Sequence, residues 1–187
     1  MNGKAERTVR HIFYAAQSGL EVRPGVREGS THGHEEREGR VQFRFFLLKP
    51  PGSTDKSTQI HFVSEPPEAH DLAWAIEMLL DGKVSVPEYE ADHFKIKVSA
   101  TKTSVSYRLP PHVYEATAGK MQTEVGVEAY WTTPTDRKFA FFVSRGSDFI
   151  RGSDFINVPI SRPGFRFAAA FLRHLALAQC WVEKPEG

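Results

Sequence analysis

The sequence predicts an α+β fold made of two successive repeats, each of about four antiparallel strands closed by one helix. Three observations predict it. Short segments in which apolar and polar residues alternate recur along the chain, separated by Gly, Pro, Asp and Thr turns. Helical spacing of apolar residues occurs in two places, after Ser64 and after Ser161, each at the end of a group of strands. Phe is frequent, at 14 residues against 3 Met, which suits flat packed sheet faces rather than Met-filled helical bundles.

Residues 8–15 read as a first strand and 20–27 as a second, interrupted by Pro24-Gly25, as befits an edge or a bend. Residues 28–40 hold no large apolar side chain and read as a mobile loop or hairpin tip. In 41–48, Val41, Phe43, Phe45 and Leu47 take one face while Gln42, Arg44, Phe46 and Leu48 take the other. Pro50-Pro51-Gly52 turns the chain into a strand at 58–63. The first helix follows, with Ser64 as its expected cap, Pro66 and Pro67 in its first turn, and Glu68 and Asp71 against the positive end of its dipole. Ala69, Leu72, Ala73, Ile76, Leu79 and Leu80 form its apolar stripe, and Gly82 stops it.

The second repeat opens with a hairpin of 93–99 and 103–109. Phe94, Ile96 and Val98 alternate against His93, Lys95 and Lys97, and Val105, Tyr107 and Leu109 point inward. Residues 112–123 fit a loop with some helix. Residues 124–132 and 138–144 read as another pair, and 155–160 as the last strand. The second helix begins after Ser161 with Pro163 in its first turn. Phe165, Ala168, Ala169, Leu172, Leu175, Ala176 and Gln179 share one face, flanked by Arg162, Arg166 and Arg173. The whole, 1–187, reads as one domain, with repeats at about 7–83 and 92–182. A literal repeat, RGSDFI at 145–150 and again at 151–156, preserves the alternation of faces because six is even, and carries no assigned function.

With 40% hydrophobic and 25% charged residues the chain can bury a core. Net charge of +1 excludes a histone-like binder but not local basic strips. The single cysteine, Cys180, cannot form an intrachain disulfide, which points to a reducing compartment. With no spanning apolar run and no apolar signal core, the expected location is intracellular, in the cytoplasm or an organelle, and away from membranes. The basic residues of 1–11 fit a trimmed mitochondrial product.

No catalytic constellation stands out, so the chain reads as a non-enzyme with no cofactor. His32-Gly33-His34-Glu35-Glu36 is the most metal-like cluster. It sits in a polar loop without a second cluster to complete it, and a solvated loop is the better reading. Cys180 and His174, six apart on a helix, do not face each other, which makes Cys180 a structural thiol. Glu88, Glu90 and Asp92 alternate along an extended stretch and read as a solvated edge that resists strand addition. An enzyme of unrecognised type would need a cleft around Asp92 or His93.

What remains is a surface. Arg44, Lys95, Lys97 and Arg108 fall on the non-core phase of their strands, with Phe46, Phe142, Tyr130 and Trp131 on or beside such faces. Cations that track phosphates beside rings that stack bases suit single strands better than duplex, since a flat sheet does not enter a groove as a helix does. An ordinary solvated sheet face is the competing account.

The stretch FFVS…DFINVPISRPGFRFAAAFLRHLALAQCW resembles the Whirly family, through Val158-Pro159-Ile160 before the helix, Ala176-Leu177 within it and Trp181 at its end. The two-repeat plan is similar across most of the chain, and kinetoplastid mitochondrial RNA-binding relatives share it. The family's Lys-Gly-Lys-Ala-Ala-Leu signature is absent as a whole, with only Gly3-Lys4-Ala5 as an echo, and the RGSDFI duplication has no counterpart. Pur-alpha-type proteins have a similar repeat plan and imply the same ligand class. The resemblance implies a Whirly-like fold, single-stranded DNA or RNA as ligand with little sequence preference, and a homo-oligomer such as a tetramer, or a hetero-oligomer. On that basis Arg44, Lys95, Lys97, Arg108 and Lys138 are expected to contact phosphates, and Phe46, Tyr107 and Trp131 to stack bases. Leu72, Ile76, Leu172 and Leu175 are expected in the core or the oligomer centre. The alternative function is a non-enzymatic protein-interaction or assembly module, which the near-neutral charge and the many sheet aromatics favour.

Overall fold

The computed structural model describes residues 10–24, 40–48, 59–82, 94–109, 122–146 and 154–182, the side chains of 154 and 179–182 excepted. The His32–Glu36 cluster, Glu88, Glu90, Asp92, His93 and the side chains of Cys180 and Trp181 lie outside these residues, as does nearly all of 28–40.

The element order is β1 (His11–Tyr14), β2 (Ser18–Pro24), β3 (Val41–Leu47), β4 (Gln59–Ser64), α1 (Pro66–Asp81), β5 (Phe94–Val98), β6 (Lys102–Arg108), β7 (Gln122–Thr133), β8 (Asp136–Gly146), β9 (Asp154–Ile160) and α2 (Arg162–Val182). The strands form two antiparallel meanders, β1-β2-β3-β4 and β5-β6-β7-β8-β9, each followed by a helix. The predicted two-repeat α+β plan is what forms, with five strands in the second sheet.

Alternation decides which face is buried. In the first sheet Val22, Phe43 and Phe62 lie side by side, as do Phe13, Leu20, Phe45 and Ile60. In the second, Phe94, Tyr107, Val125, Val143 and Ile156 form one row and Ile96, Val105, Val127, Phe141 and Val158 the next. These rows join both helices in one core. Phe13 of the first sheet meets Phe141 of the second at 5.7 Å between ring centroids. Burying side chains of this size stabilises by about 1.5–3 kcal/mol each.

α1 buries Ala69, Leu72, Ala73, Ala75, Ile76, Met78 and Leu79, and α2 buries Phe165, Ala168, Ala169, Phe171, Leu172, Leu175 and Ala176. The two helices pack on each other, joined at the surface by a paired contact of Arg173 with Glu77, while Arg173 Nη1 lies 2.9 Å from His70 Nε2. α2 begins after Ser161 as expected, and Ser161 caps it, its Oγ accepting from Gly164 N at 3.2 Å. The expected cap of α1 is corrected. Glu65, not Ser64, is the N-cap residue, and its N–H donates to Glu68 Oε2 at 3.0 Å. Ser64 ends β4 facing inward beside Val41, and its buried hydroxyl meets no partner among the described residues. Gly82 ends α1 with φ 72°, in the left-handed region that glycine adopts without strain.

Polar ties fix the halves. Ser18 Oγ donates to Asn157 O at 2.7 Å, and Arg145 Nη2 donates to His61 O at 2.9 Å. Arg137 Nη2 donates to Leu79 O in the last turn of α1, putting a cation at the negative end of that helix. Burial, and Arg162 nearby, lower the pKa of Arg137, yet a guanidinium stays charged. Tyr107 is buried and its hydroxyl donates to Glu68 O at 2.8 Å. Desolvation, then the charges of Glu68 and Asp71, raise its pKa well above the ordinary value.

The Tyr107 environment gives a pH prediction. In the unfolded chain the phenol ionises near pH 10, whereas the folded chain keeps its proton. Above that pH the unfolded state binds fewer protons, so stability falls as pH rises, by up to about 1.4 kcal/mol per pH unit from this group. In urea titrations Tyr107→Phe should cost about 1 kcal/mol at neutral pH and flatten the decline above pH 10. An unchanged alkaline slope would refute the assignment.

Candidate nucleic-acid interface

The helices cover one face of each sheet. The other face carries the opposite phase of every strand. On the second sheet, one row across the strands reads Lys95, Ser106, Gly126, Phe142, Asn157, and the next reads Lys97, Ser104, Glu128, Ala140, Pro159. Arg108, Glu124, Ser144 and Phe155 form a row on one side, and Lys102, Tyr130 and Lys138 a row on the other. Lys95, Lys97, Lys102, Arg108 and Lys138 are all exposed. Phe155 is 55% exposed and stacks on Phe142, with centroids 6.1 Å apart.

Four of the eight residues expected to bind nucleic acid therefore share one face: Lys95, Lys97, Arg108 and Lys138. Lys138 stands at its far end and pairs with Asp136 at 3.2 Å. Arg44 and Phe46 share the outer face of the first sheet. There Arg44 lies over the Phe46 ring at 4.8 Å and reaches Glu21 at 3.5 Å. Phe46 itself is packed down to 8% exposure, and Tyr14, edge-on to it at 6.3 Å, offers the exposed ring. Trp131 keeps neither company. It stands at the end of the β7–β8 hairpin beside a recess of about 460 Å³ with Ala100, Thr101 and Pro134, next to Arg137. Tyr107 is the correction: it occupies the core phase of β6, where its inward alternation already put it, and a ring 2% exposed cannot stack a base.

Two residues that sequence reasoning left out of the site belong to this face. Phe155 takes the phase of Asn157 and Pro159, opposite apolar Ile156, Val158 and Ile160, so alternation in FINVPI was the available signal. Lys102 sits in the β5–β6 turn region and pairs with Glu128 at 3.4 Å.

The outer faces are also built alike. Gly19 on β2 lies opposite Phe46 on β3, and Gly126 on β7 lies opposite Phe142 on β8. In each pair the phenyl ring lies over the glycine, occupying the space a Cβ would take. Two residues beyond each glycine comes a buried carboxylate, Glu21 or Glu128. Glu21 is ringed by Arg10, Arg23 and Arg44 at 3.5–4.0 Å. Glu128 accepts from Asn157 Nδ2 at 2.8 Å and pairs with Lys102. A buried carboxylate is tolerated only with such partners.

Among the described residues no three His, Cys, Asp or Glu side chains are placed to hold a metal ion, and no helix is long and apolar enough to cross a membrane.

With this geometry in hand, the backbone can be compared with known structures. WHY1 from Arabidopsis thaliana superposes with a TM-score of 0.57 at 18% identity, covering 96% of this chain and 95% of its own. WHY3 from the same plant gives 0.56 at 16%, over 90% and 86%. The plant transcriptional regulator PBF-2 gives 0.51 at 17%, over 96% and 90%. The chain has the Whirly fold. At these identities the likeness is one of fold, and it spans nearly the whole chain. No family model matches the sequence, and no curated protein does either.

The two Phe-over-Gly contacts differ in what surrounds them. A Cβ on Gly126 would come within 2.6 Å of the Val105 carbonyl oxygen and of Ser106 Cβ, whereas the three atoms nearest one on Gly19 all belong to the far end of the Phe46 ring. Gly126→Ala should therefore cost about 1–3 kcal/mol by denaturant titration. Gly19→Ala should cost clearly less, and pairing it with Phe46→Leu should restore most of the loss.

Proposed function

We propose that the protein binds single-stranded DNA or RNA, as an oligomer, along the outer face of the β5–β9 sheet. The observation that carries this reading is the joint exposure, on one uncovered face, of Lys95, Lys97 and Arg108 with the ring of Phe155. The cations neutralise phosphates, and the ring stacks an unpaired base, worth about 1–3 kcal/mol per base. Both contacts are open to every nucleotide, so binding is largely independent of sequence. The Whirly fold supports the reading through the ligand class that the resemblance implies.

Oligomer formation is assigned to α2. Its outer side carries Phe167 and Leu177, 47% and 60% exposed, with Ala170 and Ala178 also exposed. A helix apolar on both sides has a second surface to cover.

Fluorescence anisotropy with labelled single strands and duplex tests the ligand. Single strands should bind in preference to duplex, with affinity falling as salt rises. A Lys95→Glu/Lys97→Glu double variant should bind at least about tenfold more weakly, with a salt slope lower by about 1.4 from two lost phosphate contacts. Wild-type affinity in that variant would sink the assignment of this face. Light scattering tests the oligomer: Phe167→Glu/Leu177→Glu should reduce the particle to a monomer while the thermal transition is kept.

A further inference from the structure

The outer face of the second sheet is not flat. At its middle, Ser104 and Ser106 on β6 are small, and the floor drops into a recess of about 310 Å³. Phe142 and Phe155 wall it on the β8–β9 side, and Lys97 and Lys102 stand at the opposite rim. Glu124 and Glu128, two positions either side of Gly126, look into it along β7.

The composition decides what fits. Two carboxylates repel a phosphate, so the recess itself takes the uncharged part of a nucleotide while the lysine rim takes the phosphates. An aromatic wall accepts a flat ring against it. A carboxylate only accepts hydrogen bonds, so the edge presented to it must donate. The two carboxylates are not equally available. Glu128 is buried and engaged by Asn157 and Lys102, whereas Glu124 is half-exposed and, among the described residues, its Oε1 accepts one bond, from Ser106 Oγ at 2.7 Å. A carboxylate has about four lone-pair sites, so Glu124 has capacity to spare.

We infer that this recess is a base-reading subsite that takes one unpaired guanine, with Glu124 accepting its two Watson–Crick-edge donors. Guanine alone among the common bases offers adjacent N1–H and N2–H donors on that edge. Adenine, cytosine, thymine and uracil each set acceptors beside a single kind of donor, and those acceptors would face the carboxylate unpaired. Glu128 is a positioning residue. It holds Lys102 at the rim and accepts a bond from Asn157 on β9, the strand that carries the walling Phe155. This inference rests on the proposed single-strand reading and adds to it a preference at one position.

The experiment compares three labelled strands, in deoxy and ribo forms: an all-thymine or all-uracil strand, the same strand with one central guanine, and the same strand with hypoxanthine there, which lacks the N2 amino group. The guanine strand should bind about tenfold tighter than the plain strand, the scale of one bidentate base contact, with hypoxanthine in between. Glu124→Gln, nearly identical in shape, should bring the guanine strand down to the plain strand's affinity and leave the plain strand bound at least as well as before, which also reports a folded protein. Equal wild-type affinity for plain and guanine strands, or a guanine preference that survives Glu124→Gln, overturns the inference and leaves the general reading standing. Failure of the wild-type protein to bind any of the strands overturns both.

Discussion

Everything in this fold follows from a shortage of cover. Among the described residues, nine strands present two faces each, and two helices are available to bury them. One face of each sheet is closed against α1 and α2 in a common core. The other has to remain soluble without a helix, and the sequence meets that demand strand by strand, with Lys, Arg, Ser and Glu alternating against Phe, Val and Ile. An antiparallel sheet tolerates one wet face in this way, which a parallel one seldom does. The face left uncovered is then the face on which binding residues can accumulate, because nothing about the core constrains them.

The two halves solve the outer-face problem with the same device. Gly-X-Glu on β2 and on β7, each facing a Phe-Phe pair on the next strand (Phe45-Phe46 and Phe141-Phe142), gives a glycine covered by a ring and a carboxylate tied to neighbouring cations or amides. In the first half the carboxylate gathers three arginines and the ring is capped by one of them, so the face is largely self-satisfied. In the second half Ala140 replaces the arginine opposite the carboxylate, and serines line β6. The same frame thus opens into a recess on one sheet and closes on the other. This divergence makes the second sheet the stronger binding candidate.

Alternation and helix spacing made much of the fold legible. The phase of 41–48, the stop at Gly82 and the helix start after Ser161 depend on nearest neighbours in sequence, and local rules reach them. The α1 cap was misread because Ser64 is the favoured type at an N-cap, and nothing local shows that it is still in β4, which leaves Glu65 as the cap. Tyr107 was misassigned to the site against its own alternation. A tyrosine looks amphipathic, and only the distant carbonyl of Glu68 shows why its hydroxyl can be buried. The two-repeat plan was legible, but the residue correspondence between the repeats was hidden for a different reason. Corresponding residues are matched through cross-strand register, Gly19 with Phe46 and Gly126 with Phe142, while the loops between them differ in length, so no fixed offset in sequence reveals it. Glu128, Lys102 and Asn157 likewise come together only across β6, β7 and β9.

Near-neutral overall charge looks like an argument against a nucleic-acid ligand, and the distribution of charge answers it. The outer face of the second sheet sets five cations, Lys95, Lys97, Lys102, Arg108 and Lys138, against Glu124, the buried Glu128 and, at the far end, Asp136 beside Lys138. The compensating acids include Glu68, Asp71, Glu77 and Asp81 on α1, and that helix packs against the opposite face of the same sheet. A strand approaching the outer face meets the local excess, since at physiological salt charges more than about 8 Å away are largely screened. The same separation limits non-specific attraction elsewhere on the surface. Carboxylates placed among the cations serve the same end: they lower the affinity for phosphate alone, so a ligand must also offer a ring to stack and an edge that donates. A face of lysines without them would hold any polyanion, whereas on the proposed reading this one favours an unpaired strand.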